Sequence, residues 1–286
     1  MKITSNRVWK PDRKPQTQGT AVLRPASSPR LRRDPFLRRS KRFLCTPPGC
    51  LKALANRHIG SRAFVLGNGP SLRISDLDRL RSEITFACNK IYLAFPETDW
   101  RPTYYTVEDH LVAQQNQQEI EAMEGVGAKL FPHTLALHGV HFTNSQTYPF
   151  IWKDVYPSLP EFSDDALQGL HWGSTVVYSM LQLAAFMGIR EVYLLGVDFS
   201  FTIPSTSEGS TGKFKIYVSE GERNHFHPDY RKPGEHWHQP NLDYQEKSFL
   251  SARKYFETHG GRLFNATRGG RLACLPRVDF DALMTS

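Results

Sequence analysis

From residue 61 onward the chain alternates short apolar runs with amphipathic or polar stretches. Ala63-Phe64-Val65-Leu66 is unbroken in its apolar character, which predicts a strand covered on both faces. Leu72, Leu77 and Leu80 follow and predict a helix near 76–82 with Ser75 as its N-cap. Ile84-Thr85-Phe86-Ala87 predicts a second strand ending in Cys88-Asn89, and the β-branched and aromatic run 103–107 a third ending in Glu108-Asp109. A helix is expected from His110 to Met123 and a strand at Lys129-Leu130-Phe131, whereas residues 132–172 are aromatic and irregular and give no element.

The clearest helical pattern comes next. Val176, Val177, Met180, Leu181, Ala184 and Met187 trace one face of a helix that starts at Ser174 or Thr175 and stops at Gly188. Residues 191–195 predict a buried strand that ends in Gly196-Val197-Asp198. Residues 200–240 are polar and too long for a plain connector, so a lid or active-site loop is expected there. A helix over 243–258 and a short strand over 262–265 complete the series. This alternation predicts an α/β fold, a Rossmann-like, doubly wound and mostly parallel sheet with a long active-site loop.

Composition changes the picture at the N-terminus. The 286 residues carry 36 Lys/Arg against 28 Asp/Glu, but residues 1–43 hold 13 of the basic and 2 of the acidic side chains. The rest of the chain, with 23 basic and 26 acidic residues, is mildly acidic, so its charge gives no nucleic-acid signal. Residues 1–45 read as a disordered basic extension, either a solvated tail, a contact for anionic lipid or nucleic acid, or an upstream extension read from a wrongly chosen start codon, and residues 46–286 as a single domain. The four cysteines form no Cys-x-x-Cys pair, which argues against a disulfide framework or a cysteine zinc site. No run nears the 18 apolar residues of a membrane span and no signal-peptide core is present, so a soluble, cytoplasmic protein is expected.

In an open parallel sheet, ligands bind beyond the carboxyl ends of the strands. Gly67-Asn68-Gly69-Pro70-Ser71 stands at the first such end. Its glycines allow positive φ and close backbone approach to a phosphate, Asn68 both donates and accepts, and Ser71 can cap the succeeding turn of chain. The departure from Gly-x-Gly-x-x-Gly tells against a standard dinucleotide site. Asn89, Glu108-Asp109 and Asp198 fall at the same edge, although Asn89 and Asp198 also suit ordinary turns. Gly173, Ser174 and Thr175 open the clearest helix, where they either offer N–H groups and hydroxyls to an anion or simply cap it. Arg268, beside Gly269-Gly270, is placed either to clamp a phosphate or to sit in a surface hairpin. In the polar segment His225 or His227 suits a general base for a hydroxyl nucleophile. The segment carries two His-x-His pairs, His225/His227 and His236/His238; such a pair invites a zinc reading, but no cysteine or spaced carboxylate completes the set.

Taken in order, Leu66-Gly67-Asn68-Gly69-Pro70-Ser71-Leu72, Cys88-Asn89-Lys90, Gly173-Ser174-Thr175 and residues 191–199 resemble the 6-hydroxymethylpterin diphosphokinase MptE-like domain. The same order is similar to the bacterial sialyltransferases of glycosyltransferase family 42. Residues 104–109, 224–230 and 265–270 lean toward the MptE-like family. The sialyltransferase resemblance implies a cytidine-monophosphate sugar held by Asn68, Gly69, Ser71, Asn89 and Ser174, with His225 or His227 as base. It implies no cofactor, a nucleotide-sugar donor and a glycan or protein acceptor. The pterin resemblance implies pyrophosphate transfer from ATP with magnesium, for which Glu108, Asp109 and Asp198 are the carboxylates at hand. A nucleotide-binding module without turnover is the third reading. Oligomeric state is not indicated by the sequence.

Overall fold

The computed structural model describes residues 50–285 except 206, 212 and 213; the extension expected over residues 1–45 lies outside them. The strands are β1 (Arg62–Leu66), β2 (Ile84–Cys88), β3 (Tyr104–Thr106), β4 (Ala128–Pro132), β5 (Gln146–Tyr148), β6 (Phe150–Ile151), β7 (Leu170–His171), β8 (Glu191–Leu195), β9 (Ser207–Thr211), β10 (Phe214–Val218), β11 (His236–His238) and β12 (Arg262–Asn265). The α-helices are α1 (Ile74–Arg79), α2 (His110–Gln115), α3 (Gln117–Ala122), α4 (Val176–Phe186), α5 (Leu242–Thr258) and α6 (Phe280–Leu283).

Seven strands form one sheet in the order β12-β8-β1-β2-β3-β4-β5, and every pairing within it is parallel. The expected doubly wound α/β architecture is present. The apolar runs place alternate residues on opposite faces, as strand geometry requires. Ala63, Val65, Val192 and Leu194 pack in one core with α4 and α5, while Phe64, Leu66, Tyr193 and Leu195 pack in a second with α1, α2, α3 and α6. Each fully buried large side chain of this kind contributes about 1.5–3 kcal/mol. The chain leaves β1 toward β2 on one side and later returns to β8 on the other, so the order reverses between β1 and β8. That reversal is where an open α/β sheet leaves a crevice for a ligand.

Several local expectations are corrected. The first helix starts at Ile74, with Arg73 as N-cap, and Ser75 lies inside it; the Asp76 carboxylate accepts the Arg73 N–H at 3.2 Å, satisfying the helix start. The helix expected from His110 to Met123 is broken at Asn116, whose Nδ2 donates to Val112 O at 2.8 Å and whose Oδ1 accepts from Tyr92 Oη at 3.0 Å. An asparagine that bonds its own preceding turn competes with helix continuation. Helix α4 is not apolar on one face only: every residue from Val177 to Phe186 is buried, because the sheet covers one side and α5 the other. Residues 200–240 are more than a loop, since β9, β10 and β11 form a three-stranded antiparallel sheet. Among the cysteines, Cys88 and Cys274 are free and Cys50 is disulfide-bonded, so the lack of a Cys-x-x-Cys pair does not leave every thiol free. No described helix is long and apolar enough to cross a membrane.

Candidate active site

The register Leu66↔Leu195 sets the ends of β1 and β8 level, so Gly67 and Gly196 face each other. Gly67 N–H donates to Leu195 O at 2.8 Å and Gly69 N–H to Gly196 O at 2.9 Å. Neither Gly67 nor Gly69 takes a positive φ; that conformation falls to Gly196, at 69°. The two glycines are required by crowding instead. A Cβ on Gly67 would overlap the Gly196 carbonyl, and one on Gly69 would overlap the Asp198 carboxylate.

Asn68 is buried, 7% exposed. Its Nδ2 donates to Cys88 O at 3.0 Å, joining the ends of β1 and β2, while its Oδ1 is buried without a hydrogen-bond partner. Ser71 does not cap a helix. Its Oγ donates to Asp198 Oδ2 at 2.8 Å and its N–H reaches the same oxygen at 3.4 Å. Burial pushes the Asp198 carboxyl up, against the lowering effect of these bonds. Asn89 holds a left-handed backbone, φ 50°, with a buried and unpartnered Oδ1. An asparagine tolerates that conformation better than most residues.

Gly67, Asn68, Gly69, Asn89 and Asp198 line a cavity of about 140 Å³ at the β1/β8 crossover, together with Thr175, Asn224, His225, Tyr230 and Gln245, and Ser71 acts on it through Asp198. Thr175, Val176 and Val177, at the start of α4, form part of its wall, and Thr175 Oγ1 accepts the Val177 N–H at 3.3 Å as an N-cap. Of the other two residues proposed there, Ser174 takes φ 59° and gives its carbonyl to Gln245 Nε2 at 2.9 Å. Gly173 gives its carbonyl to Ser248 Oγ at 2.7 Å. A side chain at Gly173 would run into the Tyr178 ring, so that glycine serves the packing of α4 against α5.

A second cavity, of about 310 Å³, is lined by Glu222, Arg223, Phe226, His227, Pro228 and Arg231. His225 and Tyr230 line both cavities. The His225 segment is fastened to the first loop by the Phe226 N–H, which donates to Asn68 O at 2.9 Å. Burial, reinforced by the cations of Arg231 and Lys90, holds the His225 imidazole well below its ordinary pKa, so the ring is neutral near pH 7. Its Nδ1 is buried without a hydrogen-bond partner. His227 is occupied differently: Nδ1 accepts the Asp229 N–H at 3.1 Å and caps a turn of 3-10 helix over Pro228–Tyr230. Geometry therefore separates two histidines that the sequence left equivalent.

The family description 6-hydroxymethylpterin diphosphokinase MptE-like matches residues 44–204. The chain belongs to the MptE-like family. Among solved structures, this MptE-like chain is similar to the Maf glycosyltransferase from Magnetospirillum magneticum AMB-1, with 14% identity and a TM-score of 0.45 over 80% of this chain and 35% of that one. It spans about a third of that glycosyltransferase. It is also similar to the sialyltransferase CstII from Campylobacter jejuni in complex with cytidine-5'-monophosphate, at 12% identity and a TM-score of 0.42, covering 77% and 85% of the two chains. The alpha-2,3-sialyltransferase Cst-I from the same organism matches at 12% identity and a TM-score of 0.43, over 77% and 81%. At these values the likenesses say nothing of the chemistry here. No curated protein matches the sequence.

The magnesium set suggested for a pterin-type MptE-like enzyme is not assembled. Glu108 Oε2 accepts Ser179 Oγ at 2.6 Å, and burial pushes its carboxyl up to about 7. Asp109 bonds His238 and the Leu111 N–H, and Asp198 bonds Ser71. Among the described residues these three carboxylates share no cluster, so they do not fit a common ion. Arg268 lies outside the cavity's lining. It binds Asp76 at 2.6 Å and Asp281 at 2.8 Å, and its guanidinium stacks over Phe280. In this MptE-like fold it clamps α1 to α6.

Tyr230, Asn224 and Lys90 stand in the sequence only as members of family-like stretches, without a role, and Gln245 carries no signal there at all. Tyr230 and Asn224 stand in the same Asn-x-x-x-x-x-Tyr stretch as His225, but nothing in their spacing signals a cavity wall. Lys90, 8% exposed at its side chain, bonds Glu235 at 2.9 Å and ties the end of β2 to the β11 region.

Proposed function

We propose that this MptE-like chain is a nucleotide-dependent transferase that takes a sugar from a cytidine-monophosphate donor and passes it to a hydroxyl of a glycan or protein. The observation that carries the reading is His225, a neutral imidazole in the wall shared by the crossover cavity and the second cavity. The donor's phosphate and adjoining sugar occupy the first cavity and the acceptor approaches through the second.

In this mechanism the acceptor oxygen forms a bond to the anomeric carbon as the bond from that carbon to the phosphate oxygen breaks. The hydroxyl proton passes to an imidazole nitrogen of His225, and the nucleotide leaves with the electron pair. The start of α4 faces the phosphate with its N–H dipoles, favouring the charge that grows on the leaving group. The unpartnered Oδ1 atoms of Asn68 and Asn89 accept hydroxyl or amino groups of the nucleoside. Asp198, an acceptor, suits a donor hydroxyl better than a phosphate. The separate engagements of Glu108, Asp109 and Asp198 favour this reading over pyrophosphate transfer, where polyphosphate charge is ordinarily met by shared carboxylate-bound metal.

A thermal-shift screen of cytidine, uridine and adenine nucleotides, with and without magnesium, tests it, because a ligand that binds the native state raises its melting temperature. Stabilisation by cytidine nucleotides without magnesium is expected. Stabilisation by ATP and magnesium alone points to the pyrophosphokinase. No shift with any nucleotide overturns nucleotide dependence.

A further inference from the structure

The polar segment and the third strand meet at a side-chain group that the proposed transfer does not use. Asp109 and His110 follow β3, and His238 ends β11, 128 positions later. One ligand atom from each lies within 4.8 Å of the other two, and among the described residues this is the only such group of three. Of the His236/His238 pair only His238 belongs to the group; the second imidazole is His110 and the carboxylate Asp109, both from another part of the chain, while His236 bonds Glu208.

We propose that Asp109, His110 and His238 form a binding site for a divalent first-row transition ion of the zinc class. Two imidazoles and one carboxylate suit such an ion and not magnesium, which prefers an all-oxygen shell. Zinc bonds of about 2.0–2.2 Å at tetrahedral angles put ligand atoms roughly 3.3–3.6 Å apart, so no pair in the group needs to close by more than about 1.5 Å. Two of the three side chains are already oriented. Asp109 Oδ1 is fixed by the Leu111 N–H at 2.8 Å, leaving Oδ2 toward His238 at 2.9 Å. The His110 ring stacks on His138, with centroids 4.0 Å apart and planes within 10°. His238 is held by pairing of β11 with β10, opposite Ile216. Three protein ligands leave a coordination position open, as in zinc sites that also hold water or a substrate.

The consequence is mechanical. The ion joins β11, and with it the segment that carries His225, to the carboxyl end of β3. It adds a metal-ion tie to the Lys90–Glu235 ion pair and to the Gln115 Nε2 bond to His236 O at 3.3 Å. The inference does not rest on the sugar-transfer reading, and its test reads metal alone.

The test uses the untagged full chain, stripped with a chelator and titrated by calorimetry with zinc, manganese, ferrous iron and magnesium in turn. One equivalent of zinc is expected, with magnesium silent. Affinity is expected to fall at least about tenfold in His238→Ala and in His110→Ala, whereas His236→Ala, whose ring bonds Glu208, binds as the parent does. Because Asp109 also caps α2, the two histidine variants are the primary test, each compared with the parent by circular dichroism without metal. Cobalt substitution is expected to give the visible absorption of a low-coordinate site, lost in His238→Ala. Absence of stoichiometric binding by any transition ion overturns the inference, as does equal zinc affinity in folded His238→Ala and the parent.

Discussion

The His225 and Tyr230 rings lie parallel, their centroids 3.7 Å apart and their planes within 8°. The stack buries the imidazole beside two cations, Arg231 and Lys90, and this is why its pKa is low. A base with a depressed pKa stays unprotonated where an ordinary histidine, near 6.5, would be losing function. Transfer is therefore expected to persist as pH falls below about 6.5 and to fail only at the lower folded-state pKa. In Tyr230→Ala, which opens the ring to water, the acid limb of the pH–rate profile is expected to move up toward 6.5. An unmoved limb assigns the base elsewhere.

The same group has a sign in stability. Its folded pKa lies below its unfolded one, so the unfolded chain binds the proton first, and the stabilisation it gives above about pH 6.5 is lost as pH falls through the folded pKa. Denaturant melts at pH 7.5 and pH 5 are expected to differ less in His225→Gln than in the parent.

The glycine loop is expected to fail by crowding. Gly67→Ala presses on the Gly196 backbone, and Gly69→Ala on both Asp198 and Gly196 O. Each is expected to cost about 1–3 kcal/mol in urea unfolding, the usual range for an overpacked site. Gly69→Ala also pushes Asp198 off Ser71 and is expected to weaken nucleotide binding at least tenfold beyond what Ser71→Ala does.

Arg268 separates structural from binding roles. Removing it leaves the Asp76 side chain, 3% exposed, without its cation. Loss of one partner of a buried pair costs roughly 3–5 kcal/mol, and about 2 kcal/mol is expected here because the arginine itself is 21% exposed. Arg268→Ala is expected to lower the unfolding midpoint while nucleotide affinity stays within about twofold. A large loss of affinity without loss of stability returns Arg268 to the phosphate.

The central strands were legible because residues 63–66 and 191–195 are apolar without interruption, and only a covered parallel sheet asks for that. The convergence of Asn68, Asn89 and Asp198 on one edge followed from the same order of elements. Other features depend on partners distant in sequence. A guanidinium that clamps Asp76 and one that clamps a phosphate have the same local pattern, so the sequence does not separate the two roles for Arg268. Residues 207–211, Ser-Glu-Gly-Ser-Thr, carry no apolar period, and their strand exists through pairing with β10. His225 and His227 differ only in what surrounds them. The link of His238 to Asp109 crosses 129 positions, beyond the reach of any motif.

The most direct measurement is release of cytidine monophosphate from a cytidine-monophosphate-activated nonulosonate, with acceptor glycan present, by the parent chain and by His225→Ala. Release by the parent is expected, with a loss of at least about 10²-fold in the variant while its affinity for cytidine monophosphate stays within about threefold. No release by a parent chain that binds the nucleotide, or equal release by both, contradicts transfer with His225 as the base.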